Sequence, residues 1–225
     1  ATIAYARGIN NSGDIVGFAT EPFESGFLYH DGNFNLFPGI VSISNNGMIL
    51  ATSASGPYIF SGGNSTPLNV SNEEVLAINN SGTVLVGGGF LTGSTFHPVS
   101  FPGATSISLR GINDLGEIVG SYTGAGNVSH GFLYDSGVYT TIDFPGAISS
   151  TAYAINNNGD IVGNYFVGGA PVGTQGFLYE DGSFQTFDAF NFFSDEATTV
   201  PTGINDYGEI TGYQFESLGG GTKSL

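Results

Sequence analysis

Short apolar runs broken by polar turns recur along the whole chain. In AYAINNNGDIVGNY (Ala152 to Tyr165), two β-rich runs flank Asn-Asn-Asn-Gly, and in GFLYEDGSFQTF (Gly176 to Phe187) aromatic and polar residues alternate around Asp181-Gly182. Asn and Gly tolerate the positive φ angles that tight hairpin turns require. Each pattern therefore predicts a β-hairpin, and no apolar period of helical length is found.

The two hairpin patterns alternate as one long repeat. The first pattern occurs six times, with starts at Ile9, Ile43, Ile78, Ile112, Ile155 and Ile204. The second pattern follows five of them, with starts at Gly26, Gly56, Gly89, Gly131 and Gly176, whereas the sixth copy (Phe215 to Leu225) keeps only an apolar-turn-apolar outline. Two hairpins per unit predict an all-β fold, a single six-bladed β-propeller of four-stranded antiparallel blades over residues 1–225. A β-solenoid is the main alternative, but neither terminus has the polar cap that it needs.

Two ways of closing the ring are open. The chain starts on the first type of hairpin and ends on the second, so one blade could be built from both termini, with Tyr5 to Thr20 beside Gln214 to Leu225. Six contiguous blades are equally compatible with the repeat.

Composition and charge restrict the possible partners. The chain of 225 residues has 37 glycines, no cysteine, and 19 acidic against 3 basic residues, which gives a formal charge of −16. Nucleic acids and anionic membrane surfaces are excluded, because Arg7, Arg110 and Lys223 cannot form a basic patch. No apolar stretch is long enough for a transmembrane helix, and thiolate chemistry needs cysteine.

The fullest copies resemble a known repeat family. GINDLGEIVGSY (Gly111 to Tyr122) and HGFLYDSGVYTTIDFPGA (His130 to Ala147) are similar to the two motifs of the HAF-repeat family of bacterial and archaeal proteins. The resemblance covers essentially the whole chain and implies a propeller-like fold and a secreted or cell-surface location. It transfers no catalytic residue.

The longest insertion is the candidate ligand-binding site. It runs from Asp188 to Pro201, and aromatic and acidic side chains on a loop are typical of a recognition surface. Alternatively, its phenylalanines fold back over a ring opening. The candidate ligand-binding residues are Phe190, Asn191, Phe192, Phe193, Asp195 and Glu196.

The polar turns of the first hairpin are a candidate calcium site. Calcium prefers hard oxygen donors, and a chain of charge −16 is a plausible host. The competing interpretation is that Asn and Asp side chains close these turns by accepting backbone N–H groups. The candidate ligands are Asn10, Asp14, Asn113, Glu117, Asn156, Asp160, Asn205 and Glu209. No other cofactor is indicated.

Catalytic motifs are absent from the sequence, so the pattern does not favour an enzyme. A polysaccharide hydrolase or lyase is the alternative, with Asp143 and Asp188 as carboxylates that could face a central channel. Three histidines, His30, His97 and His130, could also meet on the axis, although ordinary strand-end positions explain them better.

The sequence thus predicts an extracellular propeller, bacterial or archaeal, that binds a glycan or a surface or matrix polymer through variable loops. A purely structural module in a surface assembly is a further alternative, and the oligomeric state is left open.

Overall fold

The computed structural model describes residues 4–20, 25–70, 75–168, 174–187 and 197–216, and these form 22 β-strands in six antiparallel sheets. Consecutive strands pair as neighbours within each sheet, so every sheet is a simple meander. The strands of the first three sheets are β1 (Ala4–Ile9), β2 (Ile15–Ala19), β3 (Ser25–His30), β4 (Asn33–Leu36), β5 (Ile40–Ile43), β6 (Ile49–Ser53), β7 (Gly56–Ser61), β8 (Asn64–Pro67), β9 (Val75–Ile78), β10 (Val84–Val86), β11 (Gly89–Thr92) and β12 (Thr95–Pro98). The strands of the last three are β13 (Ser106–Ile112), β14 (Ile118–Thr123), β15 (Ser129–Asp135), β16 (Val138–Ile142), β17 (Ser149–Ile155), β18 (Ile161–Phe166), β19 (Gln175–Glu180), β20 (Ser183–Phe187), β21 (Ala197–Ile204) and β22 (Ile210–Glu216).

The all-β propeller with four-stranded antiparallel blades is confirmed, but the predicted number of blades is wrong. The described residues form five four-stranded blades, and the sixth sheet has only β21 and β22. The physical reason lies in the sequence, because no Gly-Phe-Leu-Tyr segment with alternating aromatic residues follows β22. We number the five blades in chain order and call β21–β22 the sixth sheet.

The outer hairpins have the predicted turns. Asp181 and Gly182 connect β19 to β20 with φ angles of 50° and 77°, and Ser136 and Gly137 connect β15 to β16 with 48° and 94°. Positive φ at both central residues is the requirement of the type I′ turn, whose twist matches that of paired strands. The Asp-Gly signal in the sequence therefore fixes the register of the β19–β20 hairpin, and Ser-Gly plays the same role between β15 and β16.

Apolar cores lie between neighbouring blades. Leu85 of blade three packs with Leu109, Ile118 and Phe132 of blade four. Phe177 of blade five is in turn buried in a core that it shares with residues of blade four. Both phenylalanines are fully buried, so the recurrent aromatic residues of the second motif pack in the core, as their repetition indicates.

In the described chain, polar contacts join the two ends of the ring. There β1 pairs only with β2 and β22 only with β21, and residues 217–225 of the predicted pairing of both termini lie outside the described residues. Asn205 Nδ2 donates to Asn10 O at 3.1 Å, and Thr202 Oγ1 donates to Ala6 O at 2.8 Å. These contacts join the sixth sheet to blade one.

Candidate functional site

A channel runs along the axis of the ring, lined by the innermost strand of every sheet. The first motif places four layers of side chains along it in the same order in each repeat. Starting from one end of the channel, two layers of polar residues lie in the turns, followed by a layer of isoleucines and a layer of small residues. The most varied residues line the other end. We call the two ends the turn end and the wide mouth.

At the turn end, one side chain per repeat closes the turn after the inner strand. Asn205 Oδ1 accepts hydrogen bonds from the N–H groups of Tyr207 and Glu209, at 3.1 and 2.9 Å. Its Nδ2 donates to Glu209 Oε2 as well as to Asn10 O in the next sheet. This side chain is fully buried, and the contacts use both its donor and its acceptor atoms. The equivalent residues, here called the cap residues, are Asn10, Ser44, Asn79, Asn113, Asn156 and Asn205.

The residue after each cap residue belongs to a circuit of hydrogen bonds around the axis. We call the six residues the turn ring, and they are Asn11, Asn45, Asn80, Asp114, Asn157 and Asp206. In each sheet a backbone N–H donates to the turn-ring side-chain oxygen of the next sheet, at 2.7 to 3.0 Å. The step from Asp206 N to Asn11 Oδ1 completes the circuit at 2.8 Å. Hydrogen bonds between the turns of neighbouring sheets therefore close the ring.

The predicted calcium ligands lie in these turns. The amide oxygens of Asn10, Asn113, Asn156 and Asn205 accept backbone N–H groups, which is the structural role that competed with calcium binding. The acidic candidates Asp14, Glu117, Asp160 and Glu209 each accept the amide Nδ2 of the cap residue in their own turn. No group of three or more His, Asp or Glu side chains in the described ranges is arranged to hold a metal ion. Calcium binding stays a prediction.

The channel narrows steadily toward the turn end. A cavity of about 560 Å³ opens at the wide mouth, and the spaces behind it measure about 100 Å³ and about 70 Å³. Six isoleucines cause the constriction, because the branched residue that starts every copy of the first motif points to the axis: Ile9, Ile43, Ile78, Ile112, Ile155 and Ile204. Of these three spaces in the described channel, the one at the wide mouth is large enough for an organic ligand.

Each innermost strand carries one β-bulge, always at the same place. The pairing of β13 with β14, for example, skips Arg110 between Leu109 and Gly111. An extra residue in one strand turns its side chain out of the regular alternation, and here all six extra residues line the channel. We call them the bulge ring: Arg7, Val41, Leu76, Arg110, Tyr153 and Thr202.

In some sheets the inner strand continues past the bulge toward the wide mouth. In these sheets a glycine of the second strand lies opposite the residue that precedes the bulge. A Cβ on Gly120 would lie 2.1 Å from Ser108 O, and one on Gly17 would lie 2.2 Å from Tyr5 O. In blades two and three the inner strands begin at the bulge, and the same position holds Ala51 and Val86. The close backbone approach inside the strand therefore requires glycine at the positions of Gly17 and Gly120.

The wide mouth is rich in tyrosine. Tyr5, Tyr153 and Tyr213 line the cavity with Phe18, and the rings of Tyr5 and Tyr213 pack edge to face with centroids 5.2 Å apart. Burial raises the pKa of Tyr213 above its ordinary value, as do Tyr153 and Tyr5, while Arg110 and Arg7 act in the opposite direction. The Tyr213 hydroxyl therefore stays protonated at neutral pH and can donate a hydrogen bond.

Both arginines of the chain lie in this cavity. Arg7 and Arg110 are exposed to solvent there, and the guanidinium carbon of Arg110 lies 5.5 Å from the centre of the Tyr153 ring. Sequence reasoning missed them, because it asked only whether the basic residues form a patch for nucleic acids. A signal was nonetheless present in the sequence. When the six repeats are aligned on the recurrent isoleucine, the residue two positions before it changes in charge and polarity from repeat to repeat.

The residues predicted as functional are not brought together by the described structure. The predicted ligand-binding residues Phe190, Asn191, Phe192, Phe193, Asp195 and Glu196 lie outside the described residues, as does Asp188. Asp143 follows the outermost strand of blade four, where His130 Nδ1 lies 2.6 Å from its Oδ2 and Gly131 N donates to its Oδ1. The expectation that Asp143 faces the channel is therefore wrong, because it lies at the outer edge of its blade.

The three histidines occupy separate places. His30 Nδ1 lies 2.5 Å from Asp14 Oδ1, and this hydrogen bond, with the negative charges of Asp14 and Asp31, raises the pKa of His30. His97 stacks on Phe90 in blade three, with ring centroids 4.8 Å apart. None of the three lines the described channel, and ordinary strand positions account for them.

Comparison with known proteins shows the fold alone. No known family model matches the chain, so the resemblance to the HAF-repeat family is not confirmed. No curated protein matches it either. In the described residues, no helix combines the length and the hydropathy needed to cross a membrane.

Solved structures of propellers are similar to this one. The β-propeller domain of the Trilobed protease from Pyrococcus furiosus has a TM-score of 0.53 and 11% identity, and the match covers 99% of this chain and 83% of that one. The extracellular domain of a putative hybrid two-component system from B. thetaiotaomicron has a TM-score of 0.50 and 10% identity, over 94% of this chain and 37% of that one. The six-bladed fucose-recognising lectin of Aleuria aurantia follows at 0.45 and 11% identity, over 100% and 93%, a score that carries no conclusion about this chain. The chain is a β-propeller.

Proposed function

We propose that this propeller is a non-enzymatic binding module that holds a glycan or a surface polymer in the cavity at the wide mouth of its channel. One observation carries the proposal. Around the axis, four of the channel positions in each repeat follow a common pattern, and the bulge ring, which lines the cavity at the wide mouth, varies from aliphatic to aromatic to charged side chains. Variation at a concave surface on a repeated scaffold is typical of a recognition site.

The size and chemistry of the cavity support ligand binding. Its volume of about 560 Å³ lies within the usual range for sites of small organic ligands. Tyrosines offer flat apolar rings for sugar faces, and their hydroxyls can bond to sugar hydroxyls. Val41 and Leu76 add an apolar surface on one side.

The lining favours binding over hydrolysis. Glycoside cleavage ordinarily needs a pair of carboxyl groups about 5 to 9.5 Å apart. In the part of the chain that the structure describes, the residues of this cavity include no Asp or Glu. We therefore prefer a binding role to the alternative of a hydrolase.

An extracellular location and a contribution from residues 188–196 belong to the same proposal. A glycan of a matrix or cell surface requires a protein on the outside of the cell. The aromatic insertion remains a second candidate contact, so the experiment must separate it from the cavity.

The test is a saccharide-binding screen on the full chain, followed by calorimetry on four proteins. We expect Tyr153→Ala to weaken binding about tenfold, equivalent to about 1.4 kcal/mol, because the ring that lines the cavity is lost. Tyr207→Ala is the matched control, since Tyr207 is 76% exposed at the turn end and lies outside the cavity. The triple substitution of Phe190, Phe192 and Phe193 by Ser tests the insertion.

The outcomes are distinct. Loss of affinity in Tyr153→Ala with normal binding by Tyr207→Ala supports the cavity. If only the triple variant loses binding, the site is the insertion and the cavity is excluded. Binding of no saccharide by the wild-type protein refutes a glycan-binding function.

A further inference from the structure

The cavity at the wide mouth concentrates the positive charge of an acidic protein. Two of the three basic residues of the chain, Arg7 and Arg110, are in the bulge ring, while the formal charge of the whole chain is −16. They belong to blade one and blade four, so they lie opposite each other in a ring of six sheets. Randomly placed surface arginines would not be expected to share one cavity.

Neither guanidinium group has an acidic partner within the described residues. No Asp or Glu oxygen in those ranges lies within 4.0 Å of Arg7 or Arg110, although three histidine–aspartate contacts of that kind occur elsewhere. The recorded neighbour of Arg110 is the face of Tyr153, a contact that orients the guanidinium plane without neutralising its charge. Among the described residues, no acidic side chain therefore uses the donors of the two guanidinium groups, which can serve a bound molecule.

The bulge ring consists of two chemically different arcs. Four neighbouring sheets, from blade four round to blade one, contribute a polar arc of Arg110, Tyr153, Thr202 and Arg7. Blades two and three complete the ring with Val41 and Leu76. The arginines therefore stand at the two junctions between the polar arc and the apolar one. Such a lining fits a ring-shaped molecule with one apolar face and an acidic substituent.

We infer that the ligand of this cavity is a short saccharide that carries an acidic group, a carboxylate or a sulfate, bound by Arg7 and Arg110. The inference rests on the proposed function and specifies its substrate class. Arginine is suited to this role because its planar fork of donors matches an oxyanion and keeps its charge at all relevant pH values. The aliphatic pair and the tyrosines contact the sugar ring.

The surrounding charge limits the ligand to a low charge density. A chain of charge −16 repels a densely charged polyanion at long range. A saccharide with one or a few acidic groups meets this repulsion only weakly, and short-range contacts with the arginines then dominate. Salt consequently weakens the contribution of the acidic group and leaves that of the sugar ring unchanged.

The experiment compares saccharides that differ only in charge. Short oligomers of galacturonate, glucuronate and mannuronate are each paired with their methyl esters, and sulfated oligosaccharides are paired with their desulfated forms. Calorimetry measures their affinity for the wild-type chain, for Arg7→Gln and for Arg110→Gln. Tyr207→Ala is the control, because Tyr207 is exposed at the turn end and lies outside the cavity.

We expect one acidic series to bind at least about tenfold more tightly than its neutral partner, since a hydrogen bond to a charged group is stronger than one between neutral groups. Each Arg→Gln variant should reduce that preference, whereas affinity for the neutral saccharide should stay within about twofold and Tyr207→Ala should keep the preference. If esterification lowers the affinity, the acidic group is a carboxylate. If desulfation lowers the affinity, the acidic group is a sulfate.

Two results would overturn the inference. If neutral and acidic partners bind equally and Tyr153→Ala weakens both, the cavity binds glycans but the arginines do not select charge. If the arginines only offset the net negative charge, the Arg→Gln variants lower the free energy of unfolding and leave the acid preference unchanged. Failure of every saccharide to bind is a separate outcome, because it refutes the glycan-binding function as well.

Discussion

The two ends of the axial channel are built from the same repeat but differ in almost every physical respect. At the turn end, the side chains are nearly uniform, and their donors and acceptors are used within the protein. At the wide mouth, six residues only a few positions earlier differ in size, polarity and charge, and two guanidinium groups have no acidic partner in the described chain.

The turn end therefore holds the ring together, whereas the wide mouth is the surface that we propose binds the ligand. Buried polar groups stabilise a fold only when they are satisfied, so the turn end cannot vary without loss of stability. The bulge ring faces solvent in a cavity, where a change of side chain leaves neither a void nor a buried unpaired group. A repeat protein can therefore change its ligand at the wide mouth and keep its ring closed at the turn end.

The largest expected effect comes from removing a cap residue. Asn205→Ala should lower the free energy of unfolding by about 2 to 4 kcal/mol, because the backbone N–H groups of Tyr207 and Glu209 and the carbonyl of Asn10 lose their partner. Chemical unfolding followed by circular dichroism measures it, and saccharide affinity well below the transition should be unchanged.

Asn33→Ala is the control for this substitution. Asn33 is also an asparagine that bonds to a backbone carbonyl, but it is exposed in β4. Its replacement should change stability by less than about 0.5 kcal/mol. Equal effects of the two substitutions would contradict a special role for the cap residues.

An intermediate effect is expected from replacing the glycine that lies beside the bulge. In Gly120→Ala, the new methyl group meets Ser108 O, and the bulge that aims Arg110 must shift. Such overpacking costs about 1 to 3 kcal/mol, and affinity for an acidic saccharide should fall in the same variant.

Gly137→Asn provides the comparison, since Gly137 has a φ of 94° with no atom within 4 Å of a Cβ and asparagine tolerates positive φ. Thermal unfolding measures the change in stability, and calorimetry measures the affinity for the acidic saccharide. Wild-type affinity in Gly120→Ala would mean that the bulge does not position the arginine.

The smallest effect is a pH dependence at the turn end. Burial disfavours the charged form of Asp206, but hydrogen bonds from the Asn11 side chain and from the N–H and side chain of Asn157 favour it more, so its pKa lies below the ordinary value of 3.8. The stabilisation is therefore complete above that value and is lost as pH falls through the lowered pKa of the folded state. Asp206→Asn should lack this loss.

Unfolding by urea between about pH 5 and about pH 3 compares the two proteins. The free-energy difference between them should narrow toward the acidic limit. Parallel curves would show that the Asp206 carboxylate does not contribute to the ring in its charged form.

Much of the fold is readable from local chemistry. Turn residues such as Asp181-Gly182 require positive φ, and alternating aromatics such as Phe132 and Phe177 mark the buried face, so strands, hairpins and blades follow from the repeat. The sixth sheet has two strands in the described residues, and the eroded last motif signalled the difference from the other sheets, although the repeat count alone predicted a complete blade.

The candidate site was not readable in the same way. The repeat alignment shows that the position of Arg110 and Tyr153 varies, but a bulge is a mismatch between two strands, so the direction of these side chains depends on their partner strands. The polar turn residues attracted attention because their chemistry is conspicuous in the sequence. Their hydrogen bonds are nonetheless made within and between turns.

The sequence by itself determined a repeated unit of antiparallel hairpins and a strongly acidic surface, because propensity, turn geometry and charge are local or additive properties. Only the tertiary structure decided that residues more than a hundred positions apart, Arg7 and Arg110, share one cavity. The physical reason is that ring closure brings equivalent positions of all six sheets to a common axis, and this depends on hydrogen bonds between turns that are distant in the chain.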